Sequence, residues 1–489
     1  MAINNKVQLI TYPDSLGGNL RALHHVLNTS LASVFEGGVH ILPPFPSSGD
    51  RGFAPLTYLE IEPTFGTWDD ISAIGEQHDV LLDLMVNHIS RHSPYFRDFV
   101  QRGRRSPYAA MFLTLDSMWP DGEPVQEDID MMFLRREAPY STYTIEETGE
   151  QENVWTTFGK TDPSEQIDLD IHSPQVRELF RAFFANFKRN RVSIVRLDAV
   201  GYVIKKLGTS CFFVEPDIYE FLDWMRELAN EHGIELLPEV HAHYSIQYKL
   251  AERGWWIYDF ILPYRILDTL VNGSSSDLTQ YLKTRPAKQF TMLDCHDGIP
   301  VKPDMDGLID SGQAQRIVDI CVQRGANLSK IVSDDHKDRD GFDVHQIRCT
   351  FYSALDCNDD AYIAARAIQF FTPGVPQVYY VGLLAGENDL ARVEETGEGR
   401  EINRQNYTTE DIEHALDKEV VQRLLRLIRF RNEYDAFHGK FEVLPSADGE
   451  VRLAWTNESA RCELHVGLAG MKTEIIFRNE RGEDEVYIA

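Results

Sequence analysis

Short apolar runs rich in β-branched residues alternate along this chain with longer amphipathic stretches. A short, wholly apolar run suits a strand buried on both faces. A stretch with apolar residues at helical spacing suits a helix lying over it, so the alternation predicts βα units around a parallel sheet. The runs expected as strands are residues 7–12, 39–42, 80–87, 193–199, 235–240, 257–262, 290–293 and 377–381. Eight such units predict an α/β chain closed into a (β/α)8 TIM barrel.

The spacing of the runs is uneven. About a hundred residues separate the third from the fourth, more than one helix and two ordinary loops require, so a subdomain is expected to be inserted there. A second long gap follows the seventh run and includes the charged segment 331–343, IVSDDHKDRDGFD, which reads as loop. The pattern over 419–437 is helical, and short alternating strands follow at 451–455, 462–466 and 473–477. The expected organisation is a catalytic barrel from 1–88, 177–297 and 358–438. An inserted subdomain spans 89–176, a second inserted loop subdomain spans 298–357, and a small C-terminal β-domain spans 439–489.

A barrel of roughly 250 residues with such insertions absorbs the 489 residues as one catalytic unit with a small appendix. Nothing approaches the ~18 consecutive apolar residues of a membrane span, and the N-terminus lacks the apolar core of a secretion signal. The six cysteines are scattered without CxxC spacing, so reduced thiols in a cytoplasmic protein are expected rather than disulfides or a zinc cluster. With 48 basic against 77 acidic residues and a net charge of −29, the surface repels nucleic acid and anionic membranes, and neither is expected as a partner.

Three acids stand at the ends of three expected strands: Asp198 in SIVRLDAVGY, Glu239 in IELLPEVH and Asp297 in FTMLDCHDG. Catalytic groups of such barrels come from the C-terminal ends of several strands, although buried ion-pair networks also use such places. Arg196 precedes Asp198 by two residues, so in a strand both face the same side and the cation favours an ionised carboxylate, as a nucleophile needs. The apolar segment before Glu239 favours the protonated form, as a proton donor needs. His88 and His296 are candidate donors to sugar hydroxyls, or satisfied structural histidines.

The set DLMVNH, VRLDAVGY, LLPEVH and LDCHDG, in this order and spacing, resembles the conserved regions of the α-amylase superfamily, glycoside hydrolase family 13. The stretches NKVQLITYPDSLGG, GGVHILPPFPSSGDRGFAP, FFTPGVPQVYYVGLLAG and GREINR look like its sucrose phosphorylase group over essentially the whole chain. Within that group the likeness runs to the enzymes of sucrose 6′-phosphate and of glucosylglycerol. The resemblance implies a retaining α-glucoside phosphorylase without cofactor, with Asp198 as nucleophile, Glu239 as acid/base and Asp297 as transition-state stabiliser. It implies a glucose subsite of Asp50, Phe53, His88, Gln166, Arg196, His296 and Arg400. It places Arg135, His241, Asp343, His345 and Gln346 at the acceptor and phosphate subsite.

A phosphorylase must admit phosphate into a pocket lined by carboxylates, which requires local positive charge. Arg135 and Arg136 in MMFLRREAPY, and His345 and Arg348 in GFDVHQIR, are the candidates, on loops expected at the acceptor side. Plain sucrose phosphorylases typically carry Tyr where this chain has His345. The partners expected are therefore inorganic phosphate, glucose 1-phosphate and either glycerol or fructose 6-phosphate. Arg348 and the acidic surface favour 2-O-α-D-glucosylglycerol as donor; the alternative is sucrose 6′-phosphate, followed by sucrose.

Two other classes compete. An α-glucoside hydrolase would need no phosphate. A non-catalytic barrel acting as a binding subunit usually loses one of the three acids, and all three are present here. Asn87 resembles a position that helps bind calcium in many amylases, but the phosphorylase group dispenses with it, and no metal is expected.

Overall fold

The computed structural model describes residues 3–119, 121–159, 164–302, 304–330, 342–478 and 483–488. The alternation of apolar runs and amphipathic stretches is realised as eight parallel strands with intervening helices. The strands are β1 (Gln8–Thr11), β2 (Gly38–Ile41), β3 (Val80–Met85), β4 (Val192–Asp198), β5 (Glu235–Pro238), β6 (Ile257–Asp259), β7 (Gln289–Thr291) and β8 (Val375–Tyr379). This element order is that of the (β/α)8 class. The segment between β3 and β4 and that between β7 and β8 carry further strands and helices, and an antiparallel sheet closes the chain.

By internal contacts the described residues divide into two compact units, one of 41–240 and one of 3–40, 241–330 and 342–488. In the first, β3 pairs with β4 and β4 with β5, all parallel. β3 is buried along its whole length, which is why VLLDLM carries no polar alternation. The amphipathic helix Pro174–Arg189 buries Val176, Phe180, Phe183, Phe184 and Phe187, a stripe at helical spacing, and Pro at its first turn suits an N-terminus. The β3–β4 insertion contributes the antiparallel pairs His88–Ser90 with Gln166–Asp168 and Tyr140–Thr144 with Gln151–Trp155.

In the second unit β6, β7, β8 and β1 are parallel neighbours. Two expected strands run into the helices that follow them. Residues 260–262 lead into the helix Leu262–Asn272, because Asp259 accepts the amides of Ile261 and Leu262 and Pro263 starts the helix. Residues 380–381 belong to the helical turn Tyr380–Leu383. Apolar runs do not distinguish a strand from the buried turn that follows it.

The β7–β8 segment differs from the loop expected there. Val344–Arg348 is the central strand of a three-stranded antiparallel sheet, between Ile299–Pro300 and Asn327–Lys330, and the helix Ser311–Gln323 precedes it. VHQIR carries no apolar–polar alternation, and it follows a charged run of which 331–341 lie outside the described residues.

The helix expected over 419–437 is Glu419–Glu433, followed by a 3-10 turn at Asp435–His438. The C-terminal strands number five among the described residues: Lys440–Val443, Glu450–Thr456, Arg461–Gly467, Lys472–Arg478 and Asp484–Ile488, in a simple meander. No described helix is long and apolar enough to cross a membrane.

Candidate active site

In the unit of 41–240 the site grows from strand register. Alternation along β4 puts Arg196 and Asp198 on one face, and the β3–β4 register sets Asp83 beside Arg196. Glu239 follows β5, its amide bonded to the Leu197 carbonyl. One guanidinium serves all three acids: Arg196 Nη1 lies 2.5 Å from Asp83 Oδ1 and 2.7 Å from Asp198 Oδ1, and Nη2 lies 3.1 Å from Glu239 Oε1. Glu239 Oε2 also accepts the Ala199 amide at 3.3 Å. Ala199, directly after Asp198, adopts a left-handed φ of 53°, which a residue with a Cβ holds only where its surroundings enforce it.

One cation shared among three buried carboxylates leaves negative charge in excess. Burial pushes Asp198 up to about 8, Arg196 opposes it, and Glu239 and Asp83 add to the rise. Arg196 therefore does face Asp198, but its charge is divided among three acids, and desolvation works against the ionisation that the pairing favours.

The remaining candidates of this unit surround that cluster. The Arg196 guanidinium lies 6.0 Å from the Phe53 ring centre. His88 Nε2 bonds the Phe53 carbonyl at 3.2 Å, and Asn87 Nδ2 lies 3.5 Å from its Nδ1. Burial lowers His88 to about 4, so the ring is neutral and its tautomer is set by Phe53. Asp50 and Arg51 both have left-handed φ, at 47° and 48°, in the turn that presents Phe53. Gln166 pairs across the insertion strands with Ser90.

The two insertion arginines have different partners. Arg136 is bound by Thr156, Glu165 and Ser141. Arg135 bonds the Tyr202 phenol and lines a cavity with Trp155, Thr157, Tyr202 and Cys211. Asn87 has a cationic partner: Lys205 Nζ lies 2.9 Å from its Oδ1 and 2.7 Å from the fully buried Asp168.

In the second unit Asp297 follows β7. Arg400 Nη2 lies 3.3 Å from its Oδ1 and His296 Nε2 3.7 Å from its Oδ2. Burial alone would raise this carboxyl, but Arg400, His296, Arg404 and His241 together hold it well below the usual range. The segment carrying Arg400 grips the Asp297 turn: Asn403 Nδ2 bonds the Cys295 carbonyl at 2.9 Å, and Arg404 Nε bonds that of His296 at 3.0 Å. Asn327 Nδ2 holds the Gly399 carbonyl at 2.9 Å. A Cβ on Gly399 would lie 2.8 Å from both Arg348 Nη1 and Asn327 Oδ1. Arg348, a candidate for phosphate, thus abuts the Arg400 turn.

His241 stacks on Phe260, centroids 3.9 Å apart, and its Nδ1 is 3.2 Å from Asp304. His345 lies edge-on to it at 5.9 Å, with Nδ1 2.5 Å from the Lys302 carbonyl. Gln346 is buried between Ser329 and Pro300 in the small sheet, whereas Asp343 is paired with the exposed Lys330 at 3.1 Å. Asp83, Lys205, Asp304 and Gln247 were absent from the sequence candidates. An aspartate inside the apolar VLLDLM was a usable signal for the first; Lys205 follows Asp198 in the stretch RLDAVGYVIKKLGTSCF without being singled out, and Asp304 and Gln247 lie in no motif.

The family model for the alpha amylase catalytic domain matches residues 36–291. A sucrose 6(F)-phosphate phosphorylase of Thermoanaerobacterium thermosaccharolyticum is 66% identical over 488 residues, covering 100% of each chain. A glucosylglycerol phosphorylase of Marinobacter adhaerens is 43% identical, covering 99% of each. The crystal structure of sucrose 6F-phosphate phosphorylase from Thermoanaerobacter thermosaccharolyticum superposes with a TM-score of 0.99 at 65% identity, covering 100% of this chain and 99% of that one.

Proposed function

The chain belongs to the α-amylase family, and on that premise we propose that it is a phosphorylase of sucrose 6′-phosphate, moving its glucosyl unit to inorganic phosphate. The products are α-D-glucose 1-phosphate and fructose 6-phosphate. Its standing as a glucoside phosphorylase follows the relatives matched along its full length. The observation that carries the donor is the 66% full-length identity with a sucrose 6(F)-phosphate phosphorylase, against 43% with a glucosylglycerol phosphorylase. The expectation of glucosylglycerol as the main donor gives way to its alternative.

In the first half-reaction Asp198 attacks the anomeric carbon while Glu239 protonates the departing fructosyl oxygen, giving a β-glucosyl-Asp198 ester. The step needs one proton on the pair, on Glu239. The Arg196 cluster, with its excess of buried carboxylates, favours holding that proton at neutral pH. In the second half-reaction a phosphate oxygen displaces Asp198, and the phosphate proton passes to Glu239, restoring the starting state. Asp297, held ionised beside Arg400, is proposed to stabilise positive charge developing on the sugar. Arg135 and His345 are each proposed to bind a phosphoryl group, and Arg136 is assigned to holding the insertion together.

The test measures glucose 1-phosphate from sucrose 6′-phosphate, sucrose and 2-O-α-D-glucosylglycerol, with and without phosphate, beside Asp198→Ala. Phosphate-dependent release, greatest from sucrose 6′-phosphate and absent in the variant, is expected. A higher kcat/KM for glucosylglycerol would return the donor to the first expectation.

A further inference from the structure

Asp304 is fully buried, and a carboxylate there costs free energy unless its oxygens are met. Both are: Oδ1 by Gln247 Nε2 at 3.1 Å, and Oδ2 by His241 Nδ1 at 3.2 Å. An ionised carboxylate only accepts, so the proton of that bond sits on Nδ1, and Nε2 becomes the second polar edge of the ring. Phe260 against one face of the ring, 22° from parallel, limits its rotation, and a flipped ring would set a C–H against the carboxylate. His345 is held in the same sense by a neutral acceptor, the Lys302 carbonyl. Of the two imidazoles, His241 is the one whose Nδ1 meets a buried carboxylate, which fixes both its tautomer and its orientation.

We infer that Asp304, oriented by Gln247, is a positioning residue that fixes His241 as a donor to a phosphoryl group, supplied by inorganic phosphate or by the sugar phosphate. This rests on the phosphorylase reading above. The packing explains why no sequence motif shows it: Asp304 lies seven residues beyond Asp297 and meets His241 only through the fold.

The experiment uses the intact enzyme with Asp304→Asn, which keeps the shape and loses the charge, and Gln247→Ala, which loosens the carboxylate and leaves it in place. Glucose 1-phosphate and free glucose are measured from sucrose 6′-phosphate and from sucrose over a range of inorganic phosphate. Asp304→Asn is expected to raise KM for a phosphoryl-bearing substrate about ten- to a hundredfold, with a smaller change in kcat and a higher ratio of free glucose to glucose 1-phosphate. Gln247→Ala moves the same ratio less. A shift in phosphate KM with both donors identifies inorganic phosphate as the bound group; a loss confined to sucrose 6′-phosphate identifies the sugar phosphate. In a His241→Asn background Asp304→Asn should add little. A uniform fall in rate with every substrate at an unchanged ratio, or no change in either KM, would overturn the inference. Wild-type release of free glucose at full rate without phosphate would overturn the phosphorylase reading and this inference with it.

Discussion

The guanidinium of Arg196 lies 2.7 Å from the carboxylate of Asp198 on one face of β4, and its second nitrogen reaches Glu239. A lysine has a single ammonium and cannot span these partners. Arg196→Lys is expected to fold and to lose about a hundredfold or more in kcat/KM for phosphorolysis, since misplacing reacting groups by an ångström costs that much. Steady-state kinetics check it; activity near wild type would show that the second contact is dispensable.

Burial and the neighbouring Glu239 and Asp83 push the Asp198 carboxyl from the ordinary 3.8 of an aspartate up to about 8, a proton that the Asp198–Glu239 pair shares. Between those values the folded state holds a proton that the unfolded state has released, so stability falls as pH rises through this window. Asp198→Asn removes that liability. The variant should be inactive yet melt higher than wild type, by a margin that grows up to about pH 8 and then levels in calorimetric scans. A margin constant with pH would contradict the raised carboxyl.

Asp297 behaves oppositely. Its carboxyl is held well below 3.8, so its contribution is present above about pH 4 and is lost as pH falls through the folded value. Asp297→Asn should lower Tm at pH 7 and converge on wild type in strong acid. Phosphorolysis should drop by roughly a thousandfold, the scale of removing one electrostatic partner of a transition state.

Lys205 places its ammonium between Asn87 and the buried Asp168. Lys205→Met would leave that carboxylate to the Thr157 amide and hydroxyl without its cation, and is expected to cost about 3–5 kcal/mol, the scale of breaking a buried pair. EDTA should leave wild-type activity and Tm unchanged, because these oxygens already meet a cation of the chain itself. Loss of activity on chelation, restored by calcium, would refute this account.

How far the sequence reveals this arrangement depends on whether a contact is local. The eight strands were legible because a strand buried on both faces must be apolar, and the pairing of Arg196 with Asp198 followed from alternation alone. Residues 260–262 were misread because apolar character does not separate a strand end from a helix start capped by Asp259. The Val344–Arg348 strand was hidden by polarity: His345, Gln346 and Arg348 occupy positions that an isolated strand would give to apolar residues. Lys205 and Asp304 act through partners 118 and 63 residues away. No periodicity records such distances.

Gly399 links two parts of the small sheet. The strand Val344–Arg348 bears His345 near its start and Arg348 at its end, and a Cβ at the glycine preceding Arg400 would lie 2.8 Å from the tips of Arg348 and Asn327, which would have to move to admit it. On the proposed assignment of His345 to a phosphoryl group, a lineage drifting toward a new acceptor can vary the start of that strand at little cost to Arg400. A change that rotates or lengthens the strand moves Arg348, and with it the turn that aims Arg400 at Asp297. Selection for a new substrate is thereby channelled into side-chain replacement rather than insertion.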